Sequence, residues 1–335
     1  MGLDVGSYSV KLIAVHGPGG GVRAAEAPLR AEPVADADPS AESVAEAIQD
    51  ALHQLGLTPR TVRGITMGIS GADVIVKQVT LPLIDESEVA GALKFEARKH
   101  LPFDPQSMVI DWQILGRYVS ERKTDVLLAA VAKEHLDRHV APLALLDLAA
   151  DIVDATPLAL TNAVVNAGEP GDPALLLDVG HTASHLTLYQ RGEPFFTRRL
   201  DFGGRTLTQA IAADLSIPFD EAEEWKLAVG ADRPGVRVDW SGRELQAVEG
   251  ALQRTLVDEL RRSLAFYRTL GPLPDPLLLH LSGGSARLPG VATRLADMLG
   301  IGVTVFDPLE AGNGGGRQAP APQLTQAYGL ALRVA

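Results

Sequence analysis

Leu3-Asp4-Val5-Gly6 and Leu177-Asp178-Val179-Gly180 are the same four residues, set once near the start of the chain and once past its middle. Each ends an apolar run and opens another: Ser9 to Val15 after the first, Ser184 to Gln190 after the second. A strand, a glycine turn and a second strand are therefore predicted twice. Four shared residues alone carry little. The same four in the same local context, once in each half, predict two similar lobes that face each other.

Length and composition agree. The chain has 335 residues, which suits two units of roughly 150 to 170. Hydrophobic residues make up 46% and charged residues 21%, enough for a sizeable core. A net charge of −12 argues against binding nucleic acid or an anionic membrane through the overall field. With no cysteine, disulfides, thiolate zinc sites and thiol nucleophiles are excluded. The first residues read as a strand rather than a signal segment, and no apolar run is long enough to span a bilayer.

Between the repeats the pattern changes. We expect residues 1–84 and 151–168 to form a first-lobe core, and residues 85–150 an inserted helix-strand-strand-helix subdomain. Residues 169–335 are expected to form the second lobe, with a helical part at about 205–272. Ser40 is placed to cap a helix, and Asp85 with Glu88 has capping-box spacing. The stretch Gly168-Glu169-Pro170-Gly171-Asp172-Pro173 reads as the linker.

The repeated turns have the chemistry of a phosphate cradle. Gly6 and Gly180 admit backbone angles closed to other residues, and their hairpins present N–H groups to an anion. Ser7, Tyr8 and Ser9 flank the first turn, and His181, Thr182 and Ser184 the second. Asp4 and Asp178 are candidate holders of Mg2+ through waters, and Lys11 a neutraliser of phosphate charge. Two further features sit in the second half. Ser282-Gly283-Gly284-Ser285, followed by Arg287, ends a strand and lets a flat base approach the backbone. Glu223 and Lys226 share a helix face within reach of ribose and base, and Gly203-Gly204 leads into a helix nearby. Taken singly, each has a plain alternative: a β-hairpin, a βα turn, an exposed ion pair.

In this order and spacing the four features resemble the superfamily of actin, DnaK-type chaperones and sugar kinases. Several stretches narrow the resemblance to the PilM family of type IV pilus assembly proteins: Gln78-Val79-Thr80-Leu81-Pro82-Leu83, Phe95-Glu96-Ala97, Leu101-Pro102-Phe103 and Glu259-Leu260-Arg261-Arg262-Ser263-Leu264. Phe202-Gly203-Gly204 and Ala327-Tyr328-Gly329-Leu330-Ala331-Leu332-Arg333 are similar as well. The resemblance implies an α/β, two-lobed actin-like (ribonuclease H-like, duplicated) fold with an inserted subdomain of the FtsA 1C type. It implies ATP and Mg2+ as ligands and a cytoplasmic location, peripheral at the inner membrane through partners. The implied partners are the N-terminal cytoplasmic peptide of a PilN-like inner-membrane protein and other pilus inner-membrane components, with weak self-association. On this chain the docking groove would involve Val79, Leu81, Leu93, Phe95, Glu96 and Leu101.

One position departs from the superfamily. A carboxylate or carboxamide commonly precedes the proline of the first-lobe strand-to-helix turn and orients the attacking water. Here that residue is Thr156, before Pro157. Asp154, two residues earlier, is the remaining catalytic candidate. The expectation is ATP binding with weak or absent hydrolysis. Two alternatives are weighed. A cell-division filament protein of the FtsA type is disfavoured because no amphipathic anchor is expected after the last helix. A sugar or acetate kinase is disfavoured because no polar acceptor pocket is evident.

Overall fold

The computed structural model describes residues 1–15, 21–29, 39–100, 104–168, 173–230, 242–270, 273, 277–311 and 321–334. In the first half, β1 (Gly2–Val5), β2 (Ser9–Val15), β3 (Val22–Pro28), α1 (Ala41–Gln54) and β4 (Thr66–Ile69) come first. An excursion follows through β5 (Ile75–Pro82), α2 (Glu86–His100), β6 (Met108–Tyr118) and β7 (Lys123–Ala132). The chain returns through α3 (Lys133–Ala144), β8 (Ile152–Ala155) and α4 (Thr156–Asn166). The second half runs β9 (Ala174–Val179), β10 (Ser184–Gln190), β11 (Glu193–Leu200), α5 (Gly204–Leu215), α6 (Phe219–Gly230), α7 (Arg243–Ala251) and α8 (Asp258–Leu270). It finishes with β12 (Leu278–Ser282), α9 (Val291–Leu299), β13 (Gly302–Val305), α10 (Pro308–Ala311) and α11 (Thr325–Ala331).

The duplication is explicit in the sheets. One has the order β3-β2-β1-β4-β8, the other β11-β10-β9-β12-β13. In both, an antiparallel three-stranded ribbon passes through its inner strand, β1 or β9, into parallel pairing. The local signals behave as their chemistry requires. Ser40 Oγ accepts from the N–H of Ser43 and starts α1, whose Val44, Ile48, Ala51 and Leu52 are buried. The carboxylate of Glu88 accepts from the N–H of Asp85 at 3.1 Å and starts α2. Within the part expected to be helical, α7 and α8 form one long helix joined by a π-helical segment, Leu252–Val257. Its buried stripe steps mostly by four residues, which overruns a 3.6-residue period; the wider turn absorbs the excess.

Three expected boundaries shift. Strand β5, assigned to the first-lobe core, pairs along its whole length with β7 in a three-stranded sheet β5-β7-β6. The inserted sheet therefore starts at Ile75. Helix α3, assigned to the insert, sends Leu143 into the first-lobe core beside Leu3, Leu12, Leu52 and Met67. Helix α11, assigned to the second lobe, packs against α4, β1 and β4 of the first. Its Ala327 and Tyr328 share a core with Ile13, Leu160, Val164 and the second-lobe Leu176. The contact is close. A Cβ at Gly329 would lie 1.8 Å from the Ala159 carbonyl oxygen, and one at Gly2 would lie 2.0 Å from that of Ala327.

The insert also touches the second lobe. Thr197 Oγ1 on β11 donates to the carbonyl of Val76 on β5 at 2.8 Å, and Gln78 Nε2 donates to that of Pro194 at 3.3 Å. Buried Val76 and Leu127 pack on Ala155 of the first lobe. The residues expected to link the lobes at 169–172, and most of the Gly/Pro-rich stretch between Glu310 and Gln323, lie outside the described residues.

Candidate functional site

The two repeated turns close with the same bond. The N–H of Gly6 donates to the carbonyl of Ser9, and that of Gly180 to the carbonyl of Ala183, both at 3.1 Å. The turns face each other across a cleft of about 670 Å³. At their tips Ser7 Oγ and Thr182 Oγ1 are 3.1 Å apart. The rings of Tyr8 and His181 lie 5.1 Å apart between centroids, tilted by 40°.

The second turn is held from behind. The N–H groups of Gly204 and Arg205 donate to the carbonyls of Gly180 and His181, each at 2.8 Å. A Cβ at Gly203 would approach the His181 carbonyl oxygen to 2.4 Å, so only glycine fits this crossing. Gly283 has φ +88, and a Cβ there would meet the Val179 carbonyl oxygen at 2.4 Å. Gly284, by contrast, faces open space. The backbone beside it is bare, as a flat ligand would require.

The polar groups form two clusters. Lys11 Nζ lies 3.4 Å from Asp4 Oδ2. Burial alone would depress the Lys11 ammonium, but the carboxylates of Asp4, Glu26 and Asp178 outweigh it and hold its pKa above the ordinary value. Asp178 accepts from Ser282 Oγ at 2.8 Å. Its pKa is pushed up to about 6, by burial first and by the neighbouring Asp4. In the second cluster Lys226 Nζ donates to Gly204 O at 2.9 Å, Thr208 Oγ1 at 2.7 Å and Glu223 Oε2 at 2.7 Å. Burial lowers the Lys226 ammonium, and Glu223 opposes that. His181 is pushed down to about 4, by burial first and then by Lys226.

Most of the expected ligand residues line this one cleft: Asp4, Gly6, Ser7, Tyr8, Ser9, Lys11, Asp178, Gly180, His181 and Thr182. So do Gly204, Glu223, Lys226, Gly283, Gly284, Ser285 and Arg287. Ser184 does not; it is buried and its hydroxyl donates to the Phe202 carbonyl at 2.6 Å. Gly203 acts from behind, as described. Asp154 is also absent from the lining. Its buried carboxylate lies 3.2 Å from Arg333 Nε, and burial raises its pKa more than Arg333 lowers it. Thr156 donates its hydroxyl to the Ile69 carbonyl at 3.1 Å.

The expected docking residues divide. Val79, Leu81 and Leu93 are core, packed with Val89, Val126 and Leu128 inside the insert. They cannot be the contact surface without unfolding it. Phe95 is 77% exposed, and Glu96 pairs with Lys99 at 2.7 Å. Leu101 lies outside the described residues.

Residues that sequence reading did not single out also line the cleft. Glu26 accepts from Ser9 Oγ at 2.7 Å, and His135, Arg138 and His139 of α3 reach the first-lobe wall. His185 stands on β10 opposite Asp178 and is pushed down to about 4 by burial and then Arg199. For His185 a signal existed, since it lies on the strand that leaves its turn; Glu26 lies one strand further, on β3 opposite Lys11, where no local pattern marks it.

The family model described as type IV pilus assembly protein PilM matches residues 2–335. Among solved structures, the chain is similar to one described as the PilM-PilN type IV pilus biogenesis complex. The two are 28% identical with a TM-score of 0.81, over 99% of this chain and 97% of that one. The ethanolamine utilization protein EutJ of Carboxydothermus hydrogenoformans shares the fold at 16% identity, with a TM-score of 0.60 over 99% and 88%. In sequence, the chain is 24% identical over 356 residues to the cell division protein FtsA of Streptococcus pneumoniae, covering 93% of this chain and 76% of that protein.

Proposed function

The chain belongs to the PilM family of type IV pilus assembly proteins and has its actin-like fold; from that premise we propose that it binds Mg-ATP in the interlobe cleft and docks a PilN-like membrane protein on its insert. The observation that carries the nucleotide reading is the matched pair of glycine turns, closed by the same bond and facing each other across one cavity. Their N–H groups suit phosphate oxygens, and Lys11 supplies a permanent charge. Asp4 and Asp178 would hold Mg2+ largely through waters, since magnesium keeps several and takes others of its ligands from phosphate. Bare Gly284 would receive the base, with Glu223 and Lys226 beside it.

Turnover is proposed to be slow. Orienting a hydrolytic water needs a basic or amide side chain within hydrogen-bond reach. Thr156 is engaged with Ile69, and Asp154 faces Arg333 outside the cleft.

The partner reading rests on family membership and on the insert's free surface. The outer edge of β5, an attractive place for an extended peptide, faces β11 instead. We place the partner instead on the outward face of α2, with the exposed Phe95 as its apolar anchor. The partner reading also supplies the location: peripheral at the inner membrane, by way of the partner's cytoplasmic segment. Among the described residues no helix is long and apolar enough to cross a membrane.

Calorimetry on the purified chain tests the first claim. Heat on titration with Mg-ATP and a raised melting temperature are expected; neither appearing would sink it. The second claim predicts micromolar binding of a synthetic peptide from the cytoplasmic N-terminus of the PilN-like protein, and fails without it.

A further inference from the structure

We propose that the Asp73–His135 pair is a clasp through which occupancy of the cleft reaches the insert. The inference rests on the nucleotide reading given above and adds how that site acts on the unit assigned to the partner.

The insert, Ile75 to Ala132, leaves the first lobe and returns to it by two crossings only. The outgoing one is the segment Ser70 to Val74, after β4. The returning one is the step from Ala132 to Lys133, where β7 passes directly into α3. The two run side by side because β5 and β7 are paired, with Ile75 opposite Ala130. Just outside that sheet, His135 Nδ1 meets Asp73 Oδ1 at 2.6 Å. A carboxylate only accepts, so the imidazole donates. One turn further along α3, His139 Nε2 donates to the carbonyl of Gly68, near the end of β4, at 2.7 Å. Helix α3 therefore holds the outgoing crossing at both ends. A Cβ at Gly71 would lie 2.4 Å from His135 Cε1 and 2.9 Å from Asp73 Oδ1, so the glycine leaves room for the pair.

The same few residues are a wall of the cleft. Ser70, Gly71, His135 and His139 line it, and Asp73 stands behind them. The insert has other holds: Val76 and Leu127 on Ala155, Lys133 Nζ on the Gln106 carbonyl, and the two bonds to β11. None of those residues lines the cleft. With the pair made, both crossings move as one piece with the wall. With it broken, each is a single length of backbone, and the insert can tilt without the wall following. A ligand that restricts the wall therefore restricts the insert through this pair. Both side chains are partly exposed, so replacing them empties no packed interior.

Hydrogen exchange on the full chain, with and without saturating Mg-ATP, tests the clasp in the parent, Asp73→Ala and His135→Phe. Phenylalanine keeps a ring over Gly71 and removes the donor. In the parent, Mg-ATP is expected to slow exchange in the turns at 6–11 and 180–184 and, about fivefold, in β5 and β7 of the insert. Asp73→Ala, which leaves the lining of the cleft in place, should keep the slowing in the turns and lose it in the insert. His135→Phe should lose it in the insert as well, and it keeps the test open if the first variant does not fold. Protected turns with an unresponsive insert in the parent overturn the proposal and leave nucleotide binding standing, as does slowing in the insert that survives in either variant. Unprotected turns in the parent overturn the underlying reading and this inference with it.

Discussion

The hydroxyl of Thr197, on the edge strand of the second-lobe sheet, donates a 2.8 Å hydrogen bond to the carbonyl of Val76, on the edge strand of the insert. The same strand β11 leads within a few residues to Gly203 and Gly204, which hold the second glycine turn. The insert is thus tied to the ribbon that carries half of the cleft. Thr197→Val keeps the shape and removes the donor. It should cost about 1 kcal/mol in urea unfolding with an unchanged m-value. If the seam also carries the nucleotide signal, hydrogen exchange in β5 and α2 should respond to Mg-ATP in the parent and not in this variant.

Asp178 should trade stability for ligand binding. Its folded pKa of about 6 lies above the ordinary carboxylate value. Between those two values the folded protein holds more protons than the unfolded, so this group's contribution falls as pH rises toward 6. Asp178→Asn removes the buried charge and still accepts from Ser282. The nucleotide-free variant should melt higher than the parent at pH 7, and its melting temperature should no longer respond to Mg-ATP.

His185 should act in the opposite direction. Burial first and Arg199 second push it down to about 4, so its contribution is complete above the ordinary histidine value and is lost as pH falls from there to about 4. His185→Gln should therefore lose less melting temperature than the parent between pH 6.5 and 4. An equal loss in both would count against a neutral, buried imidazole.

Phe95 and Leu93 lie two residues apart on one helix and should fail differently. Phe95→Ala removes an exposed ring, so stability should change by less than about 0.5 kcal/mol. Affinity for the PilN-like peptide should drop at least about tenfold, or 1.4 kcal/mol. Leu93→Ala empties a packed site and should cost about 3 kcal/mol of stability. Chemical denaturation and a peptide titration on both variants separate the two roles.

The cleft was legible because its turns repeat. An identity of four residues, each time between two apolar runs, points to the same backbone closure, and Gly6–Ser9 and Gly180–Ala183 realise it. Where the insert begins was not legible. The alternation in Val74 to Leu81 predicts a strand but does not name its partner, and β7 claims it only because the hairpin β6-β7 comes back beside it. Helix α3 likewise has an apolar face that suits either neighbour. The split between Leu93 and Phe95 could have been read. Val89 and Leu93 stand at i, i+4 on one face, and two further residues turn the helix by about 200°. Asp154 was misplaced because its partner, Arg333, is distant in sequence and no local pattern announces it.

Helix α11 gives the chain a peculiar schedule at the ribosome. Strand β1 leaves the exit tunnel about 320 residues before the helix that it rests against so closely that Gly2 admits no side chain. At ordinary elongation rates the interval is on the order of tens of seconds. Through that time the first sheet lacks the cover of α11, while the inserted unit between them already has every strand it needs. Strand β1 is therefore made long before it can settle, and a cell making this protein must shelter it until α11 arrives.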